Sequence, residues 1–467
     1  MIDPPFQRSD DDMERPSHGP GPWVWLVVAA IAILLAAAQL YAIGKTPGVT
    51  PDRQLLDTEL AGLQTEWMSS DPLADFPPVT KKFAEAAEKR LGRIPLKTQG
   101  AKGARARANL ILEQATDPAG KPDFSGLSHK ADDFESPEAR IDVSERRQKL
   151  NAALREVYAA KKLSEAQANR LKETIAGESG SPWPIVMALH RVDELSGQVA
   201  SKADKLIAAV IFMVLIALGI GAWFVYAVYR GRGNLPLGIP LQGAGPDVGD
   251  GLGLRMIIFF MLFAFAPGVV AVLAPPSWSA AWTDAFARVV LLFLLWAVMT
   301  VPMLGRVISF RDVGWRTQNL GKDILVGVWA FLANLPIVLA LAYLGSVLLD
   351  WIPSGGHPVQ MMIMQPGAQI PLLLSASILT AMLEETAFRG LFFQGLQLRL
   401  RNTFWAVFLS SLAFAAIHPQ GGALWPTLAW IGAMGAMVTR ERKSLVPAIV
   451  MHTLHNGTLL ALAIYAL

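Results

Sequence analysis

Apolar residues gather along this chain into long blocks separated by short polar loops, with one long polar interval after the first block. A bilayer core about 30 Å thick is crossed by roughly 20 helical residues at a rise of about 1.5 Å each. By that measure spans are expected near residues 23–43, 206–229, 256–273, 285–304, 324–349, 370–396, 403–417, 424–438 and 445–467. The expected fold class is therefore all-α: a polytopic transmembrane helical bundle of about nine spans with an inserted helical soluble domain.

The polar interval, residues 45–205, is charged and alanine-rich, and is expected to form a separate soluble, helical, extracytoplasmic domain. Leu150, Leu154 and Val157 recur at helical spacing. Ser164 followed by Gln167 reads as a capping box that opens a helix with Ala168, Leu171 and Ile175 inward. Pro182 and Pro184 punctuate the return toward the membrane. No metal, phosphate or nucleophile motif stands out here, so interaction or support is the expected role. Upstream, residues 1–22 are an acidic, proline-rich tail expected to be disordered, and 23–43 an anchor. Ala36, Ala37 and Ala38 could mark cleavage of a secretory signal, but the preceding stretch is long for one, and an uncleaved anchor is the better reading. Residues 206–254 comprise a span and a glycine-rich connector from 230 to 255, which reads as a flexible linker because no strand-to-helix context accompanies its glycines. Residues 255–467 form the last unit.

Composition sharpens this picture. Of 467 residues, 52% are hydrophobic and 17% charged, which excludes a single soluble domain and any fibrous or disordered class. Lys and Arg number 41 against 38 Asp and Glu, so a net charge of +3 gives no footprint of a nucleic-acid binder. The expected partners are the lipid bilayer and a peptide or protein substrate. Cysteine is absent, which leaves oxygen or imidazole chemistry for any catalysis. The basic residues sort the loops. Arg230 and Arg232; Arg306, Arg311, Arg316 and Lys322; Arg399 and Arg401; and Arg440, Arg442 and Lys443 follow alternate spans, whereas loops 274–279, 353–369 and 419–423 have none. The positive-inside rule then puts the amino terminus inside and the soluble domain and carboxyl terminus outside.

Ionisable groups at bilayer depth cost a few kcal/mol each, about 3 for an Asp at a helix centre, so they are functional candidates. After Asp350 the carboxylates are Glu384, Glu385 and Glu441, and Glu441 sits in a basic loop. Glu385 and Arg389 are four apart and share a helix face, so the arginine can neutralise that acid. Glu384 points about 100° away, without a local counter-charge, as a general base would. His418, His452 and His455 fall in the last apolar stretches, and His452 and Asn456, four apart, can enter one cavity. Glu384, His418, His452 and Asn456 supply a base, two imidazoles and an amide donor, the set needed for activated water to attack a carbonyl with the oxyanion held by His and Asn. Each group alone has a structural explanation, Glu385 with Arg389 as an ion pair above all. Their concentration in a few otherwise apolar helices argues for function. His455 reads as a supporting neighbour, Asp284 with Arg288 as a local ion pair, Asn334 with Pro336 as a packing kink, and Met361, Met362 and Met364 as an apolar interfacial patch.

Glu-Glu-x-x-x-Arg at 384–389, Phe-x-x-x-His at 414–418 and His-x-x-x-Asn at 452–456, in that order on successive apolar helices, resemble the CAAX prenyl protease and bacteriocin-processing family of intramembrane endopeptidases. The resemblance covers the region from Arg255 onward. It implies that Glu384 and His418 activate the hydrolytic water, that His452 and Asn456 stabilise the oxyanion, and that Arg389 and Glu385 support and position the motif. The family has been discussed both as zinc metalloproteases and as metal-independent glutamic proteases. If zinc is the cofactor, Glu384, His418 and His452 would hold it with an open position for water. The lack of a His-Glu-x-x-His helix motif favours the metal-independent route, so no metal ligand is assigned.

Counted from the inner basic residues, Glu384 and His418 lie about 15 residues, or about 22 Å, up their helices. That depth favours an exported or membrane-embedded substrate over a cytoplasmic tail, with prenyl dependence open. The expectation is thus an intramembrane endopeptidase in a bacterial plasma membrane. The rival readings are a non-catalytic scaffold or immunity protein of the same family, and a proton-coupled transporter, against which no inverted repeat is apparent.

Overall fold

The computed structural model describes residues 20–42, 49–70, 77–117, 120–176, 185–197, 202–233, 237–275, 277–304, 307–316, 318–349, 368–418 and 424–466. Among the described residues all regular structure is helical apart from one isolated bridge between Val49 and Phe134. In chain order the helices are α1 (Trp23–Ala42), α2 (Pro51–Ser70), α3 (Pro77–Gly92), α4 (Gln99–Thr116), α5 (Pro137–Ala159), α6 (Glu165–Ala176), α7 (Ile185–Ser196), α8 (Lys202–Gly231), α9 (Pro246–Leu273) and α10 (Ala280–Thr300). The short α11 (Phe310–Val313) precedes α12 (Leu320–Leu348), α13 (Gln369–Leu400), α14 (Thr403–Ala416), α15 (Trp425–Arg442) and α16 (Val446–Ala466). Pro182, Pro184 and the methionines at 361, 362 and 364 lie outside the described residues.

The protein is an all-α, polytopic membrane protein. Helices α8, α9, α10, α12 and α13 are long and apolar enough to cross a bilayer, and α1 and α14 contain shorter apolar segments. These, with α15 and α16, answer to the nine apolar blocks of the sequence. α13 differs from the other four long spans: 61% of its apolar window is buried inside the protein, against 11–33% in theirs. It is the central helix, and a central span can carry polar groups because protein rather than lipid surrounds them. One core joins Leu252, Phe259 and Phe260 of α9, Leu291 and Leu295 of α10, Phe388 and Phe392 of α13 and Phe414 of α14. A second joins Phe331 and Leu335 of α12, Ile431 and Met434 of α15 and Met451 of α16.

The connector expected to be a flexible linker is built into the bundle where it is described. Its second half is the first part of α9, with Gly249, Asp250, Gly251, Leu252, Gly253 and Arg255 buried. The glycines there serve close helix packing: a Cβ at Gly253 would lie 3.1 Å from Trp25 and Val24 of α1, and one at Gly249 would lie 2.8 Å from the Gly395 carbonyl of α13. α1 is correspondingly part of the bundle, with Val28 and Ala32 in the first core and the Trp25 indole donating to Asp250 at 2.9 Å.

Helices α2–α7 have a core of their own, including Leu56, Leu91, Ala108, Leu150, Leu154, Val157, Leu171 and Ile175. Ser164 and Gln167 cap each other across α6, the Ser164 amide donating to Gln167 Oε1 at 3.0 Å and the Gln167 amide to Ser164 Oγ at 3.4 Å. Two acids brace the unit. Asp133 takes Arg147 on both oxygens, at 2.6 and 2.7 Å, and Arg53 at 3.2 Å. Burial alone would raise its carboxyl, but the Arg147 hydrogen bonds and the charges of Arg147 and Arg53 outweigh that and hold it below the usual range. Asp52 accepts from the Thr50 hydroxyl and from the Thr98 and Lys97 amides, which overcome burial and hold its carboxyl well below that range.

Candidate active site

α13 is not a uniform α-helix. Two π-helical segments, Leu373–Leu379 and Thr386–Phe393, flank a single α-helical stretch, Thr380–Glu385. Both glutamates of the motif lie on that stretch. Wide turns of this kind interrupt the regular ladder and re-aim side chains, and they recur at functional sites.

Glu385 and Arg389 form the expected pair, Oε2 to Nε 3.1 Å, with both side chains buried. The guanidinium also lies 4.4 Å from the centroid of the Phe414 ring. A desolvated cation over an aromatic face gains ~2 kcal/mol, which offsets part of the cost of burying Arg389, whose two terminal nitrogens have no hydrogen-bond acceptor. The other Glu385 oxygen accepts from His452 Nδ1 at 2.8 Å. The ion pair therefore orients an imidazole.

Glu384 faces the other way, as its position on the helix requires. Its Oε2 is buried without a hydrogen-bond partner. It lies 3.6 Å from His418 Nε2 and 3.8 Å from His452 Nε2. Tautomers follow from the outer partners. His418 Nδ1 is 2.6 Å from the Phe414 carbonyl, which can only accept, so Nδ1 carries the proton and Nε2 of the neutral ring presents a lone pair. His452 Nδ1 must likewise donate to the Glu385 carboxylate. Glu384 Oε2 and His418 Nε2 thus face each other as acceptors at a spacing too long for a direct bond, a gap that a water donating from both hydrogens could bridge.

Asn456 is close by but partly engaged: its Nδ2 donates to the Ala376 carbonyl of the first π segment at 2.9 Å, leaving its second N–H to serve a ligand. His455 turns away, edge-on to Phe331 at 4.9 Å. Arg288 and Asp284 pair at 3.5 Å on α10, as expected. Asn334 accepts from the Trp430 indole at 2.9 Å and donates to Met451 Sδ at 3.1 Å, which makes it a packing link between α12, α15 and α16.

Two contributions were not read from the sequence. Phe414 was part of a motif without a role, and it supplies both the carbonyl that sets the His418 tautomer and the ring beneath Arg389. Gly432 and Gly435 of α15 make room for the ion pair: a Cβ at Gly435 would lie 2.9 Å from Arg389 Nε and 3.0 Å from Glu385 Oε2, and one at Gly432 would lie 3.2 Å from Arg389 Nη2. Glycines three apart on one helix face are the signal that could have found them.

Among the described residues no group of three His, Asp or Glu side chains is placed to hold a metal ion.

Residues 366–458 match the family model for type II CAAX prenyl endopeptidase Rce1-like proteins. This stretch is similar to Rce1-like domains. It starts just before α13, ends within α16, and contains Glu384, Glu385, Arg389, His418, His452 and Asn456. It supports a CAAX-type intramembrane protease in general terms. No curated protein and no solved structure gives a significant match.

Proposed function

We propose that the protein is an intramembrane endopeptidase that hydrolyses peptide bonds of membrane-associated substrates, with Glu384 as general base. The observation that carries this reading is the bare Glu384 Oε2, buried and faced by two imidazole Nε2 atoms at 3.6 and 3.8 Å. A water seated there donates one hydrogen to Glu384 and the other to His418 Nε2. Glu384 takes the first proton as the water oxygen adds to the scissile carbonyl. The oxyanion that forms is held by Nε2–H of His452 and the free N–H of Asn456. For His452 to donate from Nε2 while Nδ1–H is bound to Glu385, the ring must carry both protons, and the adjacent Glu385 carboxylate stabilises that imidazolium. On collapse the C–N bond breaks, the amine takes the proton from Glu384, and a new carboxyl end and a new amino end are released. The reaction uses water, protons and hydrogen bonds alone, so activity is expected to survive chelation.

The charge bias of the loops supports an orientation with the amino terminus inside and α2–α7 as a soluble unit outside. Because the chain has no cysteine, single cysteines placed in α5 and at Arg401 report their sides by impermeant labelling.

The function is tested by mass-spectrometric mapping of new peptide ends in membranes containing wild type or Glu384→Gln at matched folded levels. Ends that appear only with wild type are expected, near the membrane spans of the substrates. Identical maps would end the protease reading in favour of a scaffold.

A further inference from the structure

Where α13 and α15 end, the chain builds a basic recess of about 290 Å³. The segment after α8 closes one wall with Gly238, Gln242 and Gly243, and the helix ends supply Gln397, Arg401 and Arg440. The wall is anchored, not draped. The Gly238 amide donates to the Arg440 carbonyl at 3.0 Å, the Leu241 amide to Gln394 Oε1 at 3.0 Å, and Arg316 to the Pro240 carbonyl at 3.1 Å. Lys443 lies over the same wall, its Nζ 3.2 Å from where a Gly238 Cβ would be.

The charges at this end of the bundle divide into two kinds. Arg442 is neutralised by Asp323 at 2.7 Å, and Arg399 by Asp250 at 3.8 Å. No carboxylate is among the described residues lining the recess. Arg401 and Lys443 are also the two non-glycine residues described with a left-handed backbone, each with φ of 52°. A bulky residue in that conformation at a helix end, where glycine is usual, fits a side chain retained for its charge. Two helix carboxyl termini meet here, each worth about half a negative charge, and Glu441 beside Arg440, held by the Tyr226 hydroxyl at 2.7 Å, adds one more; the three full positive charges of Arg401, Arg440 and Lys443 still exceed them. The site is net cationic.

We propose that this recess binds the phosphate headgroup of an anionic phospholipid. The lipid source, rather than a free phosphate, is indicated by place: Arg401 separates the end of α13 from α14, and beside it Leu400, Phe404 and Phe408 are exposed and apolar, a surface for acyl chains. Gln394 links the recess to the site helix, since its carboxamide holds the Leu241 amide on one side and donates to the Gly390 carbonyl of α13 on the other. Bound lipid therefore steadies the carboxyl-terminal end of the helix that carries Glu384. The inference does not depend on the reaction proposed above.

The full-length protein in neutral detergent, titrated with phosphatidylglycerol or phosphatidylcholine and examined by native mass spectrometry, tests this. One tightly retained phosphatidylglycerol is expected, with phosphatidylcholine held at least tenfold more weakly. Each cation near a headgroup is worth on the order of fivefold, so Arg401→Gln with Arg440→Gln together should weaken retention by more than tenfold. Arg401→Lys with Arg440→Lys, which keeps the charge, should stay within about threefold of wild type by the same electrostatic argument. Equal retention of both lipids, or unchanged retention in the glutamine double variant with an unchanged melting curve, would refute the proposal. Displacement of the lipid by inorganic phosphate at equal concentration would refute the lipid assignment and leave a free-anion site.

Discussion

The adjacent acids Glu384 and Glu385 are expected to respond in opposite ways to the same isosteric change. Glu385→Gln leaves Arg389 buried with its Glu385 counter-ion neutralised, and the terminal guanidinium nitrogens already lack acceptors. Removing one partner of a buried pair costs about 3–5 kcal/mol, a large part of the roughly 5–15 kcal/mol that stabilises an ordinary domain. The His452 ring loses its carboxylate as well. Glu384→Gln removes a charge that no hydrogen bond satisfies in the resting protein, so its stability is expected to stay within about 1 kcal/mol of wild type. Its catalysis should fall by about 10²–10⁴, the usual contribution of a general base. The assay pairs thermal unfolding in detergent with the rate of appearance of substrate ends in the same preparations. Glu384→Gln should melt with wild type and be inactive; Glu385→Gln should melt well below it. Equal destabilisation by both changes would refute the division of labour between a base and an ion-pair brace. So would an active Glu384→Gln.

Gly435→Ala places a methyl against Arg389 Nε and Glu385 Oε2 and should shift the pair that orients His452. A misplacement approaching 1 Å costs about a hundredfold in rate, while better helix propensity returns ~1 kcal/mol of stability, so activity should fall much further than the melting temperature. Gly221→Ala, with nothing within 4 Å, is the matched control and should leave the rate unchanged. The α2–α7 unit should lose stability in acid. Asp52 and Asp133 have lowered carboxyl pKa values, so their contribution is complete above the unfolded value of about 3.9 and is lost as pH falls through the folded values. Hydrogen exchange of the full chain should show α2–α7 opening below about pH 4, and Asp52→Asn should flatten that dependence.

The helices were legible because burial and bilayer thickness constrain residues in long runs. Helices at the apolar blocks, five of them among the described residues long and apolar enough to cross a bilayer, the Leu150–Leu154–Val157 face of α5 and the Ser164–Gln167 cap appear where the pattern puts them. What misled was glycine between 230 and 255. In water a run of glycines marks a flexible linker. Beside membrane helices the same residues permit close approach, and Gly249 and Gly253 are buried under α13 and α1. Local composition is the same in both cases, and only the partner helix decides between them.

The candidate site residues stand out because each is costly in a bilayer, but cost singles out a residue without its geometry. Regular spacing correctly joined Glu385 to Arg389 and separated Glu384 from them. It could not show that two π segments isolate both glutamates on one α-helical stretch. Nor could it join Glu385 to His452 across 67 residues, or fix the His418 tautomer through the Phe414 carbonyl. Those links turn four plausible residues into an ordered set: Arg389 charges Glu385, Glu385 orients His452, Phe414 orients His418, and both imidazoles face Glu384. Carbonyl acceptors and glycine clearances belong to the backbone, which apolar periodicity does not specify. Cost and spacing thus named side chains that the fold brings together, but not which proton each one holds, and the proposed chemistry turns on the protons.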